Sequence, residues 1–249
     1  MNLPDARQDM LRARLERGQS LELASIAAEF EVSVDTVRRD LKRLETLGVA
    51  RCVRGGAMPV ARPSGSALRR MAQGHARYEA LAARALPLIE DGMVLLLDGG
   101  ATVLALAQAL PPLPNGLVVT PAPAVALACL AAGVPTHLVG GRLSGSGAIC
   151  VGHEAVMALS DVAADIAFLG VCGLDAEFGL SADDPDEASV KRAMGLASHR
   201  TVALTGSDKL GRRARHRVLP VKEISLLITD ASLDATGDFT SKGLEVRCA

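Results

Sequence analysis

The chain has 249 residues, enough for one small domain joined to a larger one. Hydrophobic residues make up 49%, yet no apolar run approaches the ~20 residues that a membrane-crossing helix needs. The five cysteines (Cys52, Cys129, Cys150, Cys172, Cys248) are scattered, odd in number and free of any CxxC pair. They read as reduced small hydrophobes, which argues against a disulfide framework, a metal site or a bound cofactor.

Asp5, Arg7 and Asp9 do not suit a secretory leader, so the expected compartment is the cytoplasm and no membrane partner is expected. A net charge of −1 hides an uneven distribution. Residues 33–54 carry six cations against three anions, and residues 61–80 carry four arginines against one glutamate, +3 in each case. From residue 81 onward 13 cations face 18 anions, a net −5. A basic head on an acidic body fits a nucleic-acid reader attached to a larger module with another task. Such modest local charge neutralises few phosphates, so an oligomer, dimer or tetramer, is expected on DNA.

In chain order, residues 5–18 read as a first helix, with Met10, Leu11 and Leu15 on one face and Gly18 as its cap. Residues 23–30 form a second. Ser33 is a good N-cap for a third over 34–47, where Val37, Leu41 and Leu44 recur at i, i+4 and i+7 as an apolar stripe. Asp35, Thr36, Arg39, Lys42, Arg43 and Thr46 fall on the opposite side, with Arg38 on the flank. By themselves these residues would be better read as a solvated amphipathic helix. Their neighbours change the reading: a helix and tight turn precede them, and Gly48 follows as a helix stop. Residues 49–54 then alternate as a strand before a Gly55-Gly56 turn. Helix, turn, helix and β-wing predict a recognition helix in the DNA major groove. Its contacts come from Ser33, Asp35, Thr36, Arg38, Arg39, Lys42 and Arg43, with Arg51 and Arg54 on the wing.

Ile26-Ala27, Phe30, Val32-Ser33, Thr36 to Leu41, Leu44, Gly48 and the wing from Arg51 to Ala57 closely resemble the DeoR family of bacterial transcriptional regulators. Arg54 stands where that family usually has His before the paired glycines, which keeps a cation there. The expected domains are a winged helix-turn-helix over 1–58, a Pro-, Gly- and Ser-rich linker over 59–74, and a second domain over 75–249. Residues 67–86 are predicted to be helical, with Arg69, Arg70 and Arg77 on a solvated face.

From residue 90 short apolar runs (94–97, 117–119, 136–139, 166–169, 201–204, 224–229) alternate with Ala- and Leu-rich helical segments. Strands buried on both faces, alternating with helices, predict a doubly wound, mostly parallel α/β sheet. Ligands of such sheets bind beyond the carboxyl ends of the strands. There the sequence places Asp98-Gly99-Gly100-Ala101-Thr102 before a helix, Thr120, the loop Gly140-Gly141-Arg142 with Ser144 to Gly147, and Leu169 to Gly173. Glu187 and Lys191 lie four apart on a later helix, and Ser207-Asp208-Lys209 follows another strand. Taken singly, each is more often a tight turn or a surface pair; repeated at successive strand ends, they favour a pocket for a small anionic polyol.

This half resembles the effector-sensing domain of the same family, related in fold to ribose-5-phosphate isomerase, glucosamine-6-phosphate deaminase and the CoA transferases. The resemblance implies a phosphorylated sugar as effector, its phosphate on the 98–102 loop, with Arg142 and Lys191 as partners. The implied effector set is Asp98, Gly99, Gly100, Ala101, Thr102, Thr120, Gly141, Arg142, Gly170, Glu187, Lys191 and Lys209. Ala101 and Pro121 replace the family's usual Thr and Asn. The rival is a sugar-phosphate isomerase or deaminase carrying a DNA-binding head. Isomerase relatives place an acidic cluster where Leu169 to Gly173 stand here, and proton transfer needs such a base. The sequence therefore predicts a sensor with no catalytic residues: a repressor of carbohydrate-metabolism genes, associated with the nucleoid.

Overall fold

The computed structural model describes residues 4–16, 19–47, 49–59, 67–73 and 76–249. The expected caps Gly18 and Gly48, and residues 60–66 and 74 of the expected linker, lie outside them.

The N-terminal unit runs α1 (Pro4–Glu16), β1 (Leu21–Glu22), α2 (Leu23–Glu29), α3 (Val34–Thr46), β2 (Ala50–Val53) and β3 (Gly56–Pro59). The three short strands form an antiparallel sheet in the order β1-β3-β2, with Val53 opposite Gly56 at the wing tip. Leu11, Leu15, Ile26, Val37, Leu41, Leu44 and Val49 bury together as a core of their own. The apolar stripe of α3 is thus spent on packing, which turns its polar side outward. Pro59, expected to open the linker, instead closes β3 opposite Ala50. The β1–β3 pairing is confined to Leu21–Ala57 and Glu22–Gly56, so no ladder bond there needs the N–H that Pro59 lacks.

Of the stretch 67–86 expected to be helical, the described residues form α4 (Ala67–Gln73) and α5 (Ala76–Ala85). The remaining elements are β4 (Val94–Leu97), α6 (Ala101–Gln108), β5 (Leu117–Thr120), α7 (Pro123–Ala131), β6 (Thr136–Leu138), β7 (Arg142–Leu143), β8 (Cys150–Val151), α8 (His153–Ser160), β9 (Ala164–Gly170), β10 (Gly173–Asp175), β11 (Gly179–Ala182), α9 (Pro185–Leu196), β12 (Ser198–Thr205), β13 (His216–Leu219), β14 (Leu226–Thr229), α10 (Gly237–Thr240) and β15 (Glu245–Cys248).

Seven of these strands form one parallel sheet in the order β15-β14-β12-β9-β4-β5-β6. From β4 the chain winds outward through β5 and β6, then returns to β9 on the other side of β4 and winds outward through β12, β14 and β15. Right-handed crossovers in opposite directions place helices on opposite faces. Accordingly α6 packs with α5 and α7, whereas α8 packs with α9. Leu95, Leu96, Leu97, Val118, Ile166, Phe168, Val202, Leu204 and Leu226 are buried between these layers, explaining why their strands read as continuous apolar runs. The direction of winding reverses between β4 and β9. A crevice is expected outside the carboxyl ends of those two strands. Among the described residues, no helix is long and apolar enough to cross a membrane.

Candidate functional site

The polar side of α3 is built from its first turn. Ser33 is extended (φ −68°, ψ 151°), and its Oγ accepts from the Thr36 backbone N–H at 3.2 Å and lies 2.9 Å from Thr36 Oγ1. Asp35, Arg38, Arg39, Lys42, Arg43 and Thr46 are exposed, Thr36 is half-buried, and Arg51 and Arg54 project from the wing. All nine predicted contact residues therefore lie on the solvent side of one helix, its cap and the adjoining hairpin. Arg38 is ion-paired with Asp35, and Lys42 with Glu45 at 2.9 Å. Glu45 also accepts the Cys52 backbone N–H at 2.8 Å, tying the wing to the helix; the Lys42 hydrogen bond, then the Cys52 bond, hold its carboxyl below the usual value. Asp40, on the inner side, is buried against Arg7 Nε at 2.6 Å and Gln8 Nε2 at 3.0 Å. That pair fixes α1 on α3.

The second site lies at the reversal of winding. A cavity of about 130 Å³ is lined by Gly99, Gly100, Ala101, Thr102, Gly170, Glu187, Lys191 and Lys209 from the predicted set. Asp98 does not itself line the cavity but lies behind Lys191: it is fully buried, with Oδ2 accepting from Lys191 Nζ and from the Gly170 backbone N–H at 2.9 Å. Its Oδ1 is buried with no hydrogen-bond partner among the described residues. Burial pushes the Lys191 ammonium down, but Asp98, with lesser help from Cys172 and Glu187, outweighs this and raises it above the ordinary lysine value. A charged ammonium therefore stands at the cavity wall.

Glycine is needed at two successive positions. Gly99 leaves no room for a Cβ, which would lie 2.3 Å from the Ile149 side chain. Gly100 caps α6 at φ +101°, a left-handed geometry that L side chains rarely adopt. The opening amides of α6 lack intrahelical acceptors and carry the positive end of the helix dipole. With the four ammonium and guanidinium groups of Arg70, Arg77, Lys191 and Lys209 around it, the cavity suits a small anion bearing hydroxyls.

Three predicted residues fall elsewhere. Thr120 is fully buried, and its Oγ1 accepts from the Ala122 backbone N–H at 3.1 Å, so it shapes the turn before α7. Gly141 is exposed at the start of β7, and Arg142 is exposed and paired with Asp186 at 2.6 Å. None of the three lines the cavity. The hydroxyls of Ser144 and Ser146 are taken by Glu187 Oε1, at 2.7 and 2.6 Å, so that loop wraps a buried carboxylate. Conversely, Arg70 and Arg77, expected on a solvated face, line the cavity together with Ala67, Tyr78 and Asp208. Their seven-residue spacing is the one signal in the sequence that could have marked them as facing the same way. The Arg69 side chain is outside the described part of the chain.

A family model described as DeoR C terminal sensor domain matches residues 74–231, and one described as DeoR-like helix-turn-helix domain matches residues 7–61. A protein of Escherichia coli O157:H7 named for transcriptional repression of the aga operon is 30% identical, over 96% of this chain and 92% of its own length. Transcriptional regulator GlpR of Haloferax volcanii is 33% identical over 88% and 86%, and transcriptional repressor GlcR of Bacillus subtilis 28% over 87% and 84%. Among solved structures, ribose 5-phosphate isomerase A from Methanocaldococcus jannaschii overlaps 53% of each chain with a TM-score of 0.39 at 17% identity.

Proposed function

This chain belongs to the DeoR family of DNA-binding transcriptional regulators, not to an enzyme family, and from that premise we propose that it is a repressor of carbohydrate genes released by a phosphorylated sugar. The observation that carries the effector reading is the cavity at the β4–β9 reversal, where Lys191, Lys209 and the Gly100–Thr102 helix start converge. Phosphate is favoured where unpaired amides and cations meet, and hydroxyl-bearing carbons suit a cavity this polar. Relatives named as a repressor of the aga operon and as the transcriptional repressor GlcR support the sign of the response.

On the DNA side, Arg39 and Thr36 read base edges while Arg51 and Arg54 hold phosphates. A head whose recognition helix carries only four cations, two of them already ion-paired, gains little from phosphate alone. Operators are accordingly bound by paired heads of a homo-oligomer, where linking two weak modules multiplies affinity. The effector acts by changing how the heads are placed. Linkage requires that a ligand weakening operator binding be weakened by the operator to the same extent.

The test selects binding sequences from random duplex DNA with the purified full chain, then repeats a mobility-shift assay with a panel of pentose and hexose monophosphates. The expected result is enrichment of a repeated motif, its release by at least one phosphosugar, and a loss of about tenfold or more in Arg39→Ala. Enrichment unaffected by Arg39→Ala would refute the reading face, and indifference to every phosphosugar would refute the effector.

A further inference from the structure

Arg77 makes no part of the helix-turn-helix and stands in the first turn of α5, eleven residues past the 60–66 segment. Its guanidinium nevertheless reaches the carboxyl end of β12. Nη2 lies 2.5 Å from Asp208 Oδ1, and a Cβ on Gly206 would fall 1.3 Å from it, so that glycine is what admits the arginine. Nε lies 3.4 Å from Asp230 Oδ2, within ion-pair range, but although buried it makes no hydrogen bond among the described residues. Asp208 is 44% exposed and has a second cation at hand, Lys209 Nζ at 3.0 Å.

We propose that Arg77 is an anion-binding residue of the effector cavity, and that a phosphate entering it takes the guanidinium from Asp208, which falls back on Lys209. The proposal rests on the phosphosugar reading given above and assigns the residue that couples it to the connector. Three properties of the cluster support the exchange. The guanidinium borders the same cavity as the Gly100–Thr102 helix start and Lys191, so a phosphate on those groups is within its reach. Its planar fork has donors to spare, one of them unused, which suits two oxygens of a phosphate better than the single contact it makes with Asp208. Releasing Asp208 strands no buried charge, because Lys209 keeps it paired and water already reaches it.

The route outward is short. Arg77 lies on α5, and α4 docks just upstream, with Ala67 buried and its backbone N–H donating to the Ser146 carbonyl at 2.9 Å. Ser146 in turn holds Glu187, another lining residue. An anion that draws Arg77 inward therefore acts on the helices through which the chain enters the sensor domain.

The experiment uses full-length protein, isothermal calorimetry, and inorganic phosphate plus the pentose and hexose monophosphates as probes. Arg77→Gln should weaken the best probe by about tenfold or more. Asp208→Asn should tighten it, by freeing the guanidinium, and that gain should vanish in the Arg77→Gln background. A gain that persists in the double variant would belong to Lys209 or to general charge and would overturn the exchange. Should Arg77→Gln fail to fold in a thermal melt, Arg77→Lys carries the comparison: a point charge lacking the fork should retain only part of the affinity, and undiminished affinity overturns the proposal. Undiminished binding in Arg77→Gln, with loss in Lys191→Met, overturns this inference and leaves the cavity reading standing. A wild-type protein that binds none of the probes overturns both.

Discussion

Among the described residues, each domain of this regulator has an ion pair between distant parts of the chain in which both side chains are buried, and the two pairs, Arg7–Asp40 and Lys191–Asp98, differ in completeness. In the head, both Asp40 oxygens are satisfied, one by Arg7 and the other by Gln8, and the pair is enclosed by α1 and α3. In the sensor domain, Asp98 directs one oxygen at Lys191 and the Gly170 amide, while its other oxygen has no partner among the described residues and the ammonium borders a cavity. Complete pairing pins helices together and offers nothing to a ligand. Incomplete pairing at a strand end costs stability and leaves charge exposed to whatever enters. The same chemistry thus marks structure in one domain and, in the other, the cavity proposed to take the effector.

The largest effect that can break this comparison is expected in the head. Asp40→Ala strands Arg7 in an apolar interior and should cost about 3–5 kcal/mol of head stability. Chemical unfolding followed by head-specific hydrogen exchange should show the loss, with the sensor domain's protection unchanged. A loss near zero would mean that the pair is dispensable and that completeness does not signal structure.

Lys191→Met should cost about 3 kcal/mol, the low end of that range, because the Gly170 amide still holds the stranded Asp98, and it should abolish phosphosugar binding in calorimetry. Its pH signature has a definite sign. Lys191 titrates above its ordinary 10.5 in the folded chain, so its stabilisation is complete below that pH and lost as the pH rises through the folded value. Denaturation series from neutral to strongly alkaline pH should therefore show a wild-type decline that Lys191→Met lacks. Parallel curves for the two proteins would contradict the paired, charged lysine.

The smallest stability change is expected at Gly100. A side chain there meets open space, so the penalty is that of a backbone conformation kept for glycine, about 1–3 kcal/mol in Gly100→Ala. Gly100→Asp adds a carboxylate where an anion is to bind and should eliminate the ligand while operator binding persists. A folded Gly100→Asp protein that binds phosphosugar as the wild type does would remove the anion from this loop.

What was legible in the sequence was local or strongly periodic. Ser33, Val37, Leu41 and Leu44 declare a capped, one-faced helix within twelve residues, and the buried parallel strands declare themselves as apolar runs. The edge strand β15 was not legible, since Glu245–Cys248 alternates charged with apolar residues and is only half-buried. Nor was the small sheet β10-β11-β13, whose strands are short and begin at Gly173, Gly179 and His216. Side-chain partnerships were the hardest to see. Arg7 finds Asp40 across 33 positions, and Arg77 finds Asp208 across 131. Ser144 and Ser146 looked like ligand donors because their claimant, Glu187, is forty residues away in the chain and adjacent only after α9 packs.

The self-paired cations of α3 bear on where the protein spends its time. Arg38 and Lys42 already hold carboxylates of their own helix, so gripping a phosphate means exchanging one anion for another. The attraction to any passing stretch of duplex is correspondingly slight. A chromosome presents roughly 10⁶–10⁹ competing sites, and a heavily cationic reader would be absorbed by that excess. A recognition helix with two of its four cations already paired should be drawn less to bulk duplex, so that fewer copies are diverted from the promoters they serve.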